Sequence, residues 1–166
     1  MRQIWITKHG APEVLAVREA PDPEPGPGEL RIRVKAAGIN FADLMARVGL
    51  YPDAPKPPCV VGYEVSGVID RVGPGVTELA EGDRVFGMPK FGGYTDTLVI
   101  GARQAFRLPA PLNFFRLMSL YELIDRNPLF SFQPIDVISH PSTIAAQHRM
   151  VSVTQARMSC LSRIFT

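Results

Sequence analysis

Ala36-Ala37-Gly38-Ile39-Asn40-Phe41-Ala42-Asp43-Leu44-Met45-Ala46-Arg47-Val48-Gly49-Leu50-Tyr51-Pro52 is the stretch on which the fold turns. Two shorter runs belong with it, Val61-Gly62-Tyr63-Glu64-Val65-Ser66-Gly67-Val68-Ile69 and Glu81-Gly82-Asp83-Arg84-Val85. Asparagine is a preferred first-turn cap, and glycine takes the left-handed conformation that ends a helix. The spacing therefore predicts one short helix over 41–48, with Asn40 as N-cap and Gly49 as its stop. Around it lie short runs of strand formers punctuated by Gly and Pro at intervals of roughly ten residues, the rhythm of an all-β barrel or sandwich. Strands are expected at 3–7, 14–18, 30–36, 65–72, 84–87, 94–100 and 105–108. Pro21-Asp22-Pro23-Glu24-Pro25-Gly26-Pro27-Gly28 cannot donate ladder hydrogen bonds at its prolines, so it reads as an exposed, extended connector inside one domain. Residues 71–76 read as a strand turning on glycines.

Composition narrows the classes. A chain of 166 residues, 46% of them hydrophobic, fits one domain plus some additional chain. The formal charge of +2 is too small for a nucleic-acid footprint or a polybasic membrane patch, so neither partner is expected. Cys59 and Cys160 lie far apart without a neighbouring thiol or histidine, which gives neither a redox pair nor a local zinc cluster. Met1 leads straight into Arg2-Gln3-Ile4-Trp5-Ile6, and no uncharged apolar run approaches a bilayer's span. The expectation is a cytoplasmic protein with no membrane span.

The chain changes character near Gly101. All 14 glycines lie at or before that position. Residues 1–113 carry 13 basic and 13 acidic side chains, whereas 114–166 carry five arginines, no lysine and three acids. Two domains of sequence follow: 1–113, mainly β, and 114–166, a divergent irregular or helical C-terminal tail. Within the tail, Phe114, Leu117, Met118, Tyr121 and Ile124 share one helical face up to Pro128. Phe115-Arg116-Leu117-Met118 breaks abruptly from what precedes it, which points to a truncated or frame-shifted reading frame.

The quoted motifs, Gly38-x-Asn40-x-x-Asp43, Gly49-x-Tyr51 and Gly62-Tyr63-Glu64, resemble the zinc-independent quinone oxidoreductase type of medium-chain dehydrogenase/reductase. Asn40 to Arg47 is most similar to the synaptic-vesicle membrane protein branch. The resemblance covers about residues 1–113 and implies an alcohol dehydrogenase N-terminal domain, a GroES-like partly open barrel. Zinc-dependent alcohol dehydrogenases, also similar here, hold the catalytic metal with a cysteine and a histidine where this chain has Asn40 and Tyr63. Carboxamide and phenol do not replace thiolate and imidazole as zinc ligands, so no metal is expected. The resemblance further implies hydride transfer from NADPH to a quinone or enone, with Asn40 and Tyr51 lining the cleft near the nicotinamide and the reacting carbonyl. These two are the candidate catalytic and cofactor-binding residues, acting as donors and walls and not as acid or base.

A dinucleotide site needs a strand, a glycine-rich turn and a helix N-terminus. No glycine follows Gly101, so weak or absent NADPH binding and no activity in isolation are expected of this chain. Bland roles stand beside the functional ones: Asn40 as cap, Tyr51 as packing aromatic, Asp43 and Arg47 as an i,i+4 pair, Glu64 as hydrogen-bond acceptor, Asp83 and Arg84 as turn residues. His9, His140 and His148 fall outside the matched motifs, and no catalytic histidine is expected. Three classes compete: a reductase or its remnant, a GroES-like binding or interaction module, and a fragment. An unfinished barrel edge would favour self-association or pairing with a full-length relative.

Overall fold

The computed structural model describes residues 1–110 and 112–114. The helix expected from the start of the tail and all readings beyond Phe114 lie outside the described residues. Within them, seven strands and one α-helix follow in order: β1 (Arg2–Ile6), β2 (Leu15–Glu19), β3 (Glu29–Ala37), α1 (Phe41–Val48), β4 (Val65–Val72), β5 (Arg84–Gly87), β6 (Thr97–Gly101) and β7 (Ala105–Arg107). Single 3-10 turns at Pro12–Val14 and Ala102–Gln104 lead into β2 and β7. β1 and β2 form an antiparallel pair, and the others form a five-stranded antiparallel sheet in the order β6-β3-β4-β5-β7. The sheet curls into a half-barrel, the GroES-like partly open barrel expected from sequence.

Alternation builds the core. Leu30, Ile32, Val34 and Ala37 of β3 point inward, and Val65, Ile69, Val85 and Ile100 meet them from β4, β5 and β6. The β1–β2 pair closes over this core through two bridges, Gln3 to Thr95 and Ile6 to Cys59. Cys59 is a buried free thiol whose pKa burial pushes up.

Two irregularities in the β3–β4 ladder shape the barrel. The register steps from Arg31↔Arg71 to Ile32↔Ile69, leaving Asp70 as an extra residue, and from Val34↔Gly67 to Ala36↔Ser66, leaving Lys35 as another. Asp70 is held by Arg31 Nε and Nη2 at 2.9 and 3.0 Å and by Arg33 Nε at 2.6 Å. Those contacts hold its carboxyl below the ordinary range against the opposing effect of burial.

The proline-rich connector lies on the surface as expected, with half of its residues exposed and none buried, and it is also tied down by ion pairs. Asp22 pairs with Arg33 at 2.7 Å, while Glu24 pairs with Arg31 at 3.1 Å and Arg71 at 2.9 Å. The prolines do keep the segment out of any ladder, but its carboxylates strap it across the arginines on the outer face of β3 and β4. A departure concerns 94–100, where β6 begins only at Thr97. Thr95 Oγ1 donates to the Thr97 carbonyl at 2.9 Å and accepts the Thr97 N–H at 3.3 Å, a local arrangement that competes with the ladder. The turn over 71–76 takes a left-handed residue at Gly75 (φ 81°) but not at Gly73, whose N–H donates to Glu29 O at 2.8 Å.

Beside the Lys35 bulge, β4 presses so closely on β3 that a methyl group on Gly67 would lie 2.2 Å from the Arg33 carbonyl oxygen. Backbone cannot move aside cheaply in the middle of a sheet. Gly67→Ala is therefore expected to destabilise the domain by about 2 kcal/mol or more, read as a lower urea midpoint with an unchanged slope.

Candidate functional site

The site grows from the start of α1. Asn40 is the N-cap, in extended conformation (φ −96°, ψ 156°), and Gly49 closes the helix in the left-handed region (φ 83°), as the spacing predicts. The side chain that fixes this end is Asp43, which is fully buried. Its Oδ2 accepts the Asn40 N–H at 2.8 Å, and its Oδ1 accepts the Gly62 N–H at 3.0 Å, across 19 residues of sequence. Gly62 has φ 105°, and a Cβ there would come within 2.8 Å of both the ring and the backbone nitrogen of Tyr94, so only glycine fits the approach.

The expected Asp43–Arg47 pair does not form. Arg47 is buried and its Nη1 donates to the Gly10 carbonyl oxygen, while the Gly10 N–H donates to Arg47 O at 3.0 Å. Both side chains share a helical face, but each has a stronger claim from backbone groups outside the helix. His9, outside the matched motifs in sequence, lies over Gly49, the first residue of Gly49-x-Tyr51.

Tethering Gly62 to α1 brings the next two residues to Asn40. Asn40 Nδ2 donates to Glu64 Oε1 at 3.2 Å, and the Gly38 N–H donates to Glu64 O at 3.2 Å. Glu64 is thus the hydrogen-bond acceptor that the sequence suggested. Tyr63 stands edge-on to Tyr51, ring centroids 6.1 Å apart at 87°, and tilts against Phe91 at 5.3 Å. Its hydroxyl is buried without a hydrogen-bond partner of good geometry. Burial pushes the phenol pKa up, and the neighbouring Tyr51 adds to the shift. Asn40 thus meets the Glu64 carboxyl, while Tyr51 meets the ring of Tyr63, the residue before Glu64 in the chain.

Phe91 escaped the sequence reading. Its available signal was a lone aromatic ahead of Gly92-Gly93, a pair that permits close chain approach near Gly62. Asp83 and Arg84 behave as turn and exit residues: Asp83 Oδ2 accepts the Ala80 N–H at 2.8 Å, and Arg84 reaches the carbonyls of Ala110 and Leu112. A separate cleft of about 890 Å³ runs between Gly75, Glu78, Arg103 and Phe106 and shares no lining residue with the Asn40 cluster.

The electrostatics are unusual for carboxylates. Burial pushes Glu64 up to about 7, opposed by the Asn40 hydrogen bond. Asp43 is likewise pushed up to about 7 by burial, against its backbone hydrogen bonds and a Tyr94 contact, with the Glu64 charge adding to the rise. The donor set does not fit a zinc ion. Asn40 is a carboxamide engaged with Glu64, Tyr63 keeps its proton, and among the described residues no three His, Cys, Asp or Glu side chains converge.

The fold defines a GroES-like, partly open barrel domain of the dehydrogenase/reductase type. A family model, the alcohol dehydrogenase GroES-like domain, matches residues 26–110. The synaptic vesicle membrane protein VAT-1 homolog of Danio rerio is 44% identical over 92 residues, 55% of this chain and 19% of that protein. Quinone oxidoreductase 1 of Escherichia coli is 41% identical over 108 residues, 64% of this chain and 33% of that protein. The crystal structure of the human VAT-1 homolog-like protein superposes with a TM-score of 0.69 at 33% identity, covering 72% of this chain and 38% of that one. The E. coli quinone oxidoreductase complexed with NADPH gives 0.66 at 36% identity, covering 75% and 40%. The chain belongs to the alcohol dehydrogenase GroES-like domain family, in the quinone oxidoreductase type of medium-chain dehydrogenase/reductase. It spans a fifth to a third of the length of these two curated relatives. Among the described residues, no helix is long and apolar enough to cross a membrane.

The raised carboxyls set a pH dependence of stability. Between the ordinary carboxylate range and about 7 the native state holds protons that the unfolded chain has lost, so this stabilisation is present in acid and disappears as pH rises through 7. Asp22, lowered to about 2 by hydrogen bonds from the N-terminus and Arg33, has the opposite sign and loses its contribution below about pH 4. Urea unfolding is expected to show highest stability near pH 4 to 5. Glu64→Gln should flatten the decline toward pH 8 by on the order of 3 kcal/mol, taking 1.36 kcal/mol per pKa unit. An unchanged slope in the variant would remove Glu64 as its source.

Proposed function

We propose that this domain forms the substrate wall of a zinc-free, NADPH-dependent quinone or enone reductase, with Asn40 and Tyr51 lining the cleft. The observation that supports the reading is the replacement of both metal-ligand positions, by an amide hydrogen-bonded to Glu64 and by a phenol set edge-on to Tyr51. A flat, electron-poor ring can lie against Tyr51 and its aromatic neighbours, and the carbonyl oxygen of that ring can accept a hydrogen bond from the amide. NADPH, when bound, supplies the hydride. The protein's part is to orient the acceptor and to present dipoles where negative charge develops on oxygen.

The residues here fit only the reacting end of that cofactor. The unpartnered Tyr63 hydroxyl and the aromatic wall suit a nicotinamide and its substrate, whereas no glycine-rich strand-turn-helix lies among the described residues to approach a diphosphate. The chain on its own therefore binds NADPH weakly and does not turn over. In this reading the diphosphate is held by a nucleotide-binding domain outside the described residues, which pairing with a full-length relative would supply. Neither nucleic acid nor a membrane is a partner in this reading, and the small formal charge and the buried free Cys59 agree with a cytoplasmic setting.

Two measurements test the proposal. Titrating the chain with NADPH while following nicotinamide fluorescence should give a dissociation constant above roughly 1 mM, weaker than about −4 kcal/mol. Joining residues 1–113 to the nucleotide-binding half of E. coli quinone oxidoreductase should give NADPH oxidation with 1,4-benzoquinone. Asn40→Ala should slow that oxidation by about ten- to a hundredfold, equivalent to roughly 1.4 to 2.7 kcal/mol. A folded, NADPH-binding chimera without quinone reduction refutes the substrate assignment, and micromolar NADPH binding by the chain alone refutes its dependence on another domain.

A further inference from the structure

Asn40 is gripped from two sides by buried carboxyl groups, and the two grips differ. Asp43 is fully buried and both of its oxygens accept backbone N–H groups, from Asn40 at 2.8 Å and Gly62 at 3.0 Å. Glu64 is 5% exposed, and its side chain accepts the single bond from Asn40 Nδ2 at 3.2 Å. Among the described residues, neither carboxyl is in a salt bridge: the ion pairs all involve other acids.

We propose that Glu64 is the positioning residue for Asn40: ionised, it locks the amide by Nδ2, and protonated, it lets the amide turn both N–H groups to the cleft. The inference rests on the reading of Asn40 as a cleft residue given under Proposed function. A carboxylate has only acceptors, so it holds the amide through Nδ2 and leaves Oδ1 to turn away. A neutral carboxylic acid keeps one acceptor and gains a donor, so it can hold the amide through Oδ1 as well as through Nδ2. The half-turn about Cβ–Cγ is a soft, roughly two-fold torsion, and it sends both amide N–H groups outward. A carbonyl oxygen gathering negative charge needs donors, and the amide can present both of its N–H groups only when Glu64 carries its proton.

The surroundings favour Glu64 over Asp43 as the group that takes that proton. Two neighbouring buried carboxyls resist ionising together, and the first proton goes to the one with fewer donors holding its charge. Asp43 has two backbone donors and a Tyr94 contact, whereas Glu64 has one amide. The titratable groups around the pair are Asp43 on α1, Tyr63 next to Glu64 in the chain and Tyr94 ahead of β6; Tyr63 stays neutral because burial pushes its phenol up. Burial also pushes Glu64 up to about 7, within reach of physiological pH.

The test uses the full chain labelled with nitrogen-15, following the side-chain NH2 resonances of Asn40 from pH 5.5 to 8.5. These resonances are assigned by their loss in Asn40→Asp. Both are expected to move on one titration curve with a midpoint near 7, and Glu64→Gln, which keeps shape and removes ionisation, is expected to abolish that movement while leaving the backbone spectrum folded. Asn40 resonances that stay fixed in the wild-type chain overturn the proposal, and so does the same titration persisting in Glu64→Gln. If the variant does not fold, the side-chain carboxyl carbon-13 resonance of Glu64 in the wild-type chain is expected to follow the same curve, and a different midpoint there overturns the proposal. No substrate or NADPH is present, so the outcome is independent of whether the chimera described above reduces quinone.

Discussion

Everything at the site hangs on the Asp43 carboxylate. A helix of eight residues is too short to hold itself in water, so α1 needs an external anchor. Asp43 provides it by joining the first turn of the helix to the backbone of Gly62. The same two hydrogen bonds fix the distance between Asn40 and the Tyr63-Glu64 pair, which the chain otherwise separates by more than twenty positions. Remove that tie and the amide, the carboxyl and the aromatic wall have no reason to meet. The arrangement burdens stability, because a fully buried carboxyl prefers to be neutral. Two backbone donors offset part of that preference.

The sheet supplies the rigid floor by a contrasting strategy. On its outer face the charges are paired: Asp70, Asp22 and Glu24 thread between Arg31, Arg33 and Arg71, and the extra residue of the β4 irregularity is itself one of the bridging acids. Arg31 is buried by the connector lying across it, and Asp70 matches it with a two-point contact. Such bidentate geometry holds direction as well as charge. Carboxylates outside the barrel are thus neutralised by arginine, while those at the start of α1 are left without a cation. The contrast marks the Asn40 cluster as the place where ionisation is left open.

Much of this was legible in the sequence, for local reasons. Helix α1 coincides with the spacing of Asn40 and Gly49, because a cap and a stop are both properties of single residues. The bounds of β4 and β5 likewise follow from Val65–Val72 and Arg84–Gly87, apolar alternation closed by turn residues. The motif resemblance reached the family that the domain model confirms over residues 26–110. What escaped is what depends on distance. Asp43 was assigned to Arg47, its helical neighbour, since nothing in a periodic pattern reveals a backbone N–H nineteen residues away. Phe91 was missed for the same reason, and the connector's ion pairs became visible only once β3 and β4 were adjacent. Asn40 and Tyr51 were singled out by resemblance, and the structure adds the partners that give each a defined surrounding.

Those partners change the chemistry available to Asn40. Considered alone, an asparagine in a cleft offers a donor or an acceptor with equal ease, because the two ends of its amide are nearly the same size. Beside a buried carboxyl the choice is no longer free: ionised, it binds only the N–H end, and only its proton lets it bind the oxygen and leave both N–H groups exposed. A zinc ion at this location would impose one electrostatic sign at every pH. The Asn40–Glu64 pair instead makes polarity follow a proton, and burial brings that proton's affinity near neutrality. The cost in stability and the control of the amide therefore share one physical origin, the removal of Glu64 from water without a cation beside it.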